Sequence, residues 1–278
     1  MQDGIRTSTS LEKLSPSLWK GRIDPSWHQG RGAFGGLAAA LLLSAMEEEV
    51  ADPERTPRSF TISFCAPCAG DFELRTELVR KGSRVAHANA RIVSASTGDV
   101  MTMATASFCR ARNDSISYAT AVMPRVGSAT EHRDFPRGVP GIPKFFDQID
   151  ARFCGEQAPR APYPLPFSGA KEARVAAWLR MRPELDLEVD ASIAAMLLDI
   201  LPPAVAATFD MPRPLASVSF TVDFFSPLPL RPTPSRDAFY LVSITSRWAS
   251  EGYTEELRDL WTEGGVLLAQ CRQLIALL

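Results

Sequence analysis

Several residues whose types could do chemistry in this chain sit at the ends of two apolar stretches. The first, 35-GGLAAALLLSAMEEE-49, opens on Gly35 and Gly36 and is preceded by His28 and Gln29. A helix starting there offers free N–H groups and the positive end of its dipole to a developing negative charge, and the absent side chains let a ligand approach. The same glycines also suit a turn or close packing of helix on strand, so both readings stand. His28 is near enough in sequence to assist a site built around Gly35. The second stretch, 190-DASIAAMLLDI-200, carries Asp190 at its start and Asp199 near its end. Asp190 can cap the free N–H groups of its helix or act as a working carboxylate. Asp199 lies in an otherwise apolar segment, either as a working carboxylate or as a solvent-facing residue at the helix end. A third cluster, 80-RKGSR-84, sets Arg80, Lys81 and Arg84 around Gly82 and Ser83. Its cations could meet phosphates as point charges or forks, or simply decorate an exposed hairpin.

The elements that must position these residues come in two similar sets. After Gly36 the chain runs to Glu49 without Gly, Pro or a β-branched side chain, and its apolar positions wrap most of the way round. That pattern predicts a helix from about Phe34 to Val50, buried on several sides, with solvent at its acidic end. Residues 58 to 110 alternate apolar and polar between turn residues, which predicts antiparallel strands near 58–66, 71–80, 84–95 and 99–110. The second half repeats the theme, since 59-SFTISF-64 returns as 219-SFTVDF-224 and 98-GDVMTMATASF-108 as 264-GGVLLAQCRQL-274. There the predicted order is a strand at 171–183, a helix from Asp190 stopped by Pro202 and Pro203, and strands near 214–226, 238–248, 253–263 and 265–277. A helix-then-sheet unit duplicated at about half the chain length implies two domains, 1–112 and 171–278. Between them, 113–170 is rich in proline and aromatics and is expected to wrap the outer sheet as an ordered connection.

Composition narrows the function classes. With 30 basic against 32 acidic residues, the chain lacks the cationic excess of a nucleic-acid surface. The sequence reading finds no membrane span and no secretory signal pattern, so a cytoplasmic enzyme is the expectation. The five cysteines include Cys65 and Cys68 spaced as C-x-x-C, but no second pair lies nearby and small cysteines often fill cores. Three scattered histidines do not suggest a metal site, and neither metal nor cofactor is expected.

The ordered set 35-GGLAAALLLSA-45, 58-RSFTISFCAP-67, 80-RKGSRVAHANARI-92 with 107-SF-108, and 248-WASEGYTEELRDLWTEGGVLLAQCRQLIAL-277 resembles the double-hotdog acyl-CoA thioesterases, the group of bacterial acyl-CoA thioesterase II. The resemblance implies an α+β double hotdog. Each tandem unit would have a long central helix wrapped by a curved antiparallel sheet, with the sheets continuous between the halves. It also implies hydrolysis of acyl-CoA to free acid and CoA through a positioned water. Curved sheets with exposed outer strands favour further packing, so a homodimer of such double units is expected.

The resemblance further implies an Asp, a Thr and a Gln on neighbouring strands of the second half. Laid over this chain, the Gln falls on Gln273, the hydroxyl on Ser246 and the Asp on Ser219. Ser219 is a departure, because a serine has no useful basicity near neutral pH. Asp223, four residues on, would sit roughly 13 Å along the strand. Helix-borne carboxylates serve as base or nucleophile in some single-hotdog relatives, which keeps Asp190 and Asp199 as candidates. Gly36 and Gly35 would polarise the thioester carbonyl, and Gly82, Ser83, Arg84 and Arg80 match a feature near the coenzyme A path. The alternatives are an inactive or weak acyl-thioester-binding hotdog protein and a hotdog dehydratase, which would need a placed histidine and carboxylate.

Overall fold

The computed structural model describes residues 1–2, 4, 9–112, 116–155 and 163–278. Its elements in chain order are β1 (Glu12–Ser15), β2 (Leu18–Arg22), β3 (His28–Gln29), β4 (Gly32–Ala33), α1 (Gly35–Val50), β5 (Arg55–Phe64), β6 (Asp71–Lys81), β7 (Val85–Ser94), β8 (Val100–Arg110), β9 (Ile149–Phe153), β10 (Arg174–Met181), α2 (Ala191–Asp199), β11 (Leu215–Phe224), β12 (Tyr240–Ser250), β13 (Tyr253–Thr262) and β14 (Leu267–Leu277). One sheet of 12 strands runs in the order β1-β2-β6-β7-β8-β5-β11-β14-β13-β12-β10-β9. The neighbours β5-β8-β7-β6 on one side of the centre mirror β11-β14-β13-β12 on the other. This is the α+β double hotdog that the resemblance implied, with one continuous sheet.

The seam is the duplicated strand paired with itself. β5 and β11 run antiparallel with Thr61 opposite Thr221, and their hydroxyls lie 3.1 Å apart. Phe60 and Ile62 face Val222 and Phe220 across the same pairing, so the alternating apolar side chains of both copies point into one core. A pseudo-two-fold axis therefore passes through Thr61 and Thr221.

Both helices lie inside the curve of this sheet. From Leu37 to Met46 every residue of α1 is buried, as expected for a helix apolar on all sides. Ala51, in the left-handed conformation, ends it. The helices run antiparallel: the start of α1 meets the end of α2 near Met196 and Asp199, and Glu47 near the end of α1 faces Asp190 at the start of α2. The acidic end of α1 is less open than its sequence suggested. Glu48 is tied to Lys13 and to the N-terminal amine, and the Glu47 carboxyl is pushed up to about 8, by burial first and then by Asp190. The stretch Ala191–Thr208 is 18 residues long with a mean hydropathy of 1.6, matching a membrane span in length and composition. The sequence reading did not single it out; in the fold it is 78% buried as a core helix and the turn after it.

The connection between the halves does more than wrap the outer sheet. Its strand β9 pairs with β10 at the sheet edge, and Phe145 and Phe146 enter the core. Phe145 stacks on Phe34 with ring centroids 4.2 Å apart, covering the N-terminal end of α1. Burial of these aromatics explains the difference: a segment with that many rings is worth more inward than draped outside. Of the proline-rich piece 159–167, residues 159–162 lie outside the described residues, as do 113–115 at the start of the connection.

Candidate active site

At the junction of α1 and α2, two polar side chains converge on one amide. Gln273 points inward from β14 and is buried, flanked in the sheet by Phe220 and Glu256. Its Nε2 donates to Ser217 Oγ at 2.5 Å and, over a longer 3.4 Å, to Asp199 Oδ1. A carboxylate can only accept, so the Asp199 contact fixes the amide with its nitrogen toward this pair. Gln273 Oε1 is then a buried acceptor with no hydrogen-bond partner among the described residues. The Gly36 backbone N–H, at the positive end of α1, favours the ionised form of the Asp199 carboxyl.

The glycines fit this close approach. A Cβ on Gly35 would sit 2.7 Å from Asp199 Oδ2 and 2.9 Å from the Phe64 ring, and one on Gly36 would run into Phe34 and lie 2.9 Å from the Met196 carbonyl oxygen. A side chain on Gly36 would push the α2 backbone away, and one on Gly35 would displace the Asp199 carboxylate or the Phe64 ring.

Asp199 is held from behind by a buried ion pair on β13. Arg258 donates from Nε to Glu256 Oε1 at 2.6 Å and from Nη1 to the carbonyl oxygens of Leu198 at 2.7 Å and Leu201 at 3.1 Å. Glu256 Oε2 accepts from the Ala204 N–H at 2.7 Å, just past Pro202 and Pro203. The end of α2 thus has its orphan carbonyls satisfied by a strand side chain rather than by a glycine cap. Burial pushes the Asp199 carboxyl up to about 6, with Glu256 adding to the rise; the Arg258 charge, the Gln273 hydrogen bond and the Gly36 N–H limit it.

The other residues singled out in the sequence fall elsewhere. Ser219 lies on the strand face opposite Phe220, paired with Ser63 and Leu274. A β-bulge between Ser217 and Ser219 turns Ser217 to the inner face, while Ser219 keeps the outer face next to Phe220. Strict alternation from Phe220 would put both serines outside, so nothing in the sequence pattern pointed to Ser217. Ser246, on β12, bonds to Thr254 Oγ1 at 2.9 Å and to the Trp248 carbonyl oxygen at 3.2 Å. It stands two strands from Gln273, about 10 Å at ordinary strand spacing. Asp190 caps α2, its Oδ1 accepting from Ile193 N–H and the Ser192 hydroxyl and its Oδ2 from Gln2. His28 sits in the short hairpin before α1, its Nε2 buried and without a hydrogen-bond partner among the described residues. Arg80, Gly82, Ser83 and Arg84 form the β6–β7 turn beside the C-terminal end of α1, where Arg55 holds the Gly82 carbonyl oxygen. At 1.5 Å per residue, that end of α1 is roughly 23 Å from Gly35. Cys68 is buried, its thiol pushed up to about 12 by burial, whereas Cys65 is exposed and fills no core.

The two corners related by the pseudo-two-fold axis are unequal. Phe60 pairs with Ala106 where Phe220 pairs with Gln273, and the bulge in β5 starts from Pro57 where that in β11 starts from Ser217. The second corner therefore has an alanine and a proline in place of the glutamine and serine. Its helix start is already occupied by Asp190.

Residues 23–109 match the acyl-CoA thioesterase N-terminal domain and residues 124–277 the acyl-CoA thioesterase C-terminal domain. No curated protein matches the chain significantly. Among solved structures, a hot-dog-fold protein of unknown function from Alicyclobacillus acidocaldarius is 25% identical, with a TM-score of 0.83 over 100% of this chain and 99% of that one. An acyl-CoA thioesterase II from Mycobacterium marinum is 20% identical, with a TM-score of 0.74 over 99% and 98%. The TesB protein of Mycobacterium avium subspecies paratuberculosis is 15% identical, with a TM-score of 0.75 over 100% of both chains. These last two likenesses concern the fold. The two domain matches together span most of the chain, and the chain belongs to the acyl-CoA thioesterase family.

Proposed function

We propose that the protein hydrolyses acyl-CoA to a free acid and CoA at the corner formed by Asp199, Ser217, Gln273 and the start of α1. The observation that carries this reading is the convergence of Ser217 and Asp199 on Gln273 Nε2, with the unpartnered Oε1 of the same amide beside them. A water accepted by that corner would donate one hydrogen to Gln273 Oε1 and the other to Asp199. A carboxyl near 6 is ionised at neutral pH yet basic enough to take a proton. As the water oxygen bonds to the thioester carbon, Asp199 takes the proton. The Ser217 hydroxyl accepts from Gln273, so its own hydrogen is free for the carbonyl oxygen, where the α1 dipole also favours negative charge. The C–S bond then breaks, and the proton on Asp199 passes to the departing thiolate.

A dehydratase reading is less well supported: among the described residues, no histidine shares a hydrogen bond with a carboxylate. His87 bonds to Ser107 and His132 to the Val126 carbonyl oxygen. The test is thiol release from a panel of acyl-CoA thioesters. Turnover by the wild-type chain, lost in Asp199→Asn and with no hydration of an enoyl-CoA, is expected; thiol release unchanged in Asp199→Asn would overturn the assignment.

A further inference from the structure

Four residues of the corner keep some surface, Gly35, Phe64, Asp199 and Ser217, whereas Gln273, Arg258 and Glu256 around them are buried. Solvent therefore meets the carboxyl on the side of Gly35 and Phe64, where the ring is the largest side chain. Phe64 closes β5 and points inward, in step with the buried Phe60 and Ile62. A Cβ on Gly35 would lie 2.7 Å from Asp199 Oδ2, and 2.9 and 3.0 Å from Phe64 Cζ and Cε1. Ring edge and carboxylate thus flank one gap, the space of the side chain that Gly35 lacks. Across the seam Ser63 pairs with Ser219, so the next inward positions are Phe64 on β5 and, through the bulge, Ser217 on β11. The repeat puts Phe224 in the same place at the end of β11, yet Phe224 is only 3% exposed while Phe64 is half-buried.

We infer that Phe64 is a positioning residue for the hydrolysis: its ring edge walls Asp199 off from bulk water and leaves a gap over Gly35 for a single attacking water. The inference rests on the hydrolytic reading of this corner and adds a residue to it. The edge of a phenyl ring carries the positive part of its quadrupole, so it stands beside a carboxylate without repelling it. It offers no N–H or O–H, so the carboxylate lone pairs stay available to the water. It also keeps solvent from one side, and desolvation is the largest cause holding the Asp199 carboxyl near 6. The other groups facing Asp199 are Arg258 and Glu256 from β13, Gln273 and Cys271 from β14, and the Gly36 N–H from α1. The Cys271 thiol is pushed well up by burial and stays neutral. Exchanging Phe64 alters none of these groups, so a change in Asp199 reports on the ring.

The experiment follows two pH profiles in the wild type, Phe64→Ala, Phe64→Leu and Phe64→Tyr. One is kcat/KM on the best substrate of the acyl-CoA panel. The other is the 13C NMR titration of the Asp199 carboxyl, assigned by its loss in Asp199→Asn, which needs no turnover. Phe64→Ala admits water, so the titration and the acid limb should move together from about 6 toward the ordinary aspartate value of about 4. Turnover should fall about tenfold as the base weakens. Phe64→Tyr sets a hydroxyl on Cζ, at the gap, where it donates to the carboxylate; the same downward shift is expected with no fall in melting temperature. Phe64→Leu refills the space with an apolar side chain and should restore the limb and most of the turnover. Should Phe64→Ala melt below the assay temperature, Phe64→Val opens a smaller gap and takes its place. A titration and acid limb unmoved in both the truncated and the Tyr variants, whatever their melting temperatures, would reduce Phe64 to packing and overturn the inference. Absence of thiol release by the wild type, with the titration still shifted in the variants, would sink the hydrolytic reading and leave the shielding of Asp199 standing. Thiol release with an unmoved titration would sink the shielding and leave hydrolysis standing.

Discussion

Arg258 reaches from β13 to the carbonyl oxygen of Leu198 at 2.7 Å, one residue before Asp199, so the position of the candidate base depends on a buried cation in a neighbouring strand. Removing that cation alone leaves Glu256 charged and unpaired in the core. Arg258→Met is therefore expected to destabilise the fold by about 3–5 kcal/mol. Pairing it with Glu256→Gln, whose amide oxygen can still accept from Ala204, should recover much of that stability while the end of α2 stays loose. Denaturant melts and turnover of the single and double variants check this: recovered stability with reduced turnover is expected.

The pH dependence follows from Asp199. Its carboxyl is pushed up to about 6, mainly by burial, and the mechanism needs it ionised. Turnover should therefore fall as pH drops through about 6, with an acid limb absent from any residual activity of Asp199→Asn. Stability should move the other way. A carboxyl raised in the folded state disfavours that state once it must be ionised, so the wild type loses stability as pH rises from the ordinary aspartate range through about 6. Asp199→Asn should then melt higher than the wild type above pH 6, with the gain shrinking toward pH 4. Turnover should drop by about 10²–10⁴-fold, the usual contribution of a positioned base. A variant that loses stability and activity together at every pH would mark Asp199 as structural.

Gln273→Ala should lower kcat by about 10- to 1,000-fold, the scale lost with a positioned catalytic contact, and leave acyl-CoA binding in place. Ser217→Ala should have a smaller effect in the same direction. Ser246→Ala should leave kcat unaltered, and Ser219→Asp should give no gain, because its carboxylate would face away from Gln273. Steady-state kinetics on the four variants separate the inner-face serine from the two outside the corner.

Asp190 is a cap. Asp190→Ala should cost about 1 kcal/mol through the lost Ile193 contact while kcat holds. A large fall in kcat at unaltered stability would instead bring the second corner into the chemistry.

The alternation of 58–110 and 214–277 was enough to place the strands, because each buries one face and the pattern with period two survives in the sequence. The helices were legible from Gly35–Gly36 and Asp190. Gln273 and Asp199 could both be named as candidates, but not as partners. They sit 74 positions apart on a strand and a helix, and only the packing of α2 against β14 brings them to one point. Ser217 was invisible because one bulged residue reverses which face it occupies. Alternation assigns sides only while the register is unbroken. The aromatics of the connection pointed to a packed segment, yet not to Phe145 turning inward over Phe34, since composition says that rings are buried without saying against what.

The inequality of the two corners has a consequence for what this chain can tolerate. In a symmetric pair of separate subunits, any substitution appears at both corners at once, so neither can be altered without the other. Here Thr61 and Thr221 face each other within one chain, and the two sides of that axis are encoded separately. Ala106 and Pro57 can be as apolar and as rigid as packing prefers, and Asp190 can close its helix with its own carboxylate, while the opposite corner keeps a buried carboxyl, an unpartnered amide oxygen and a charge in the core. Local stability can be concentrated at one end of the helix pair and reactivity at the other, a division of labour that identical subunits could not reach.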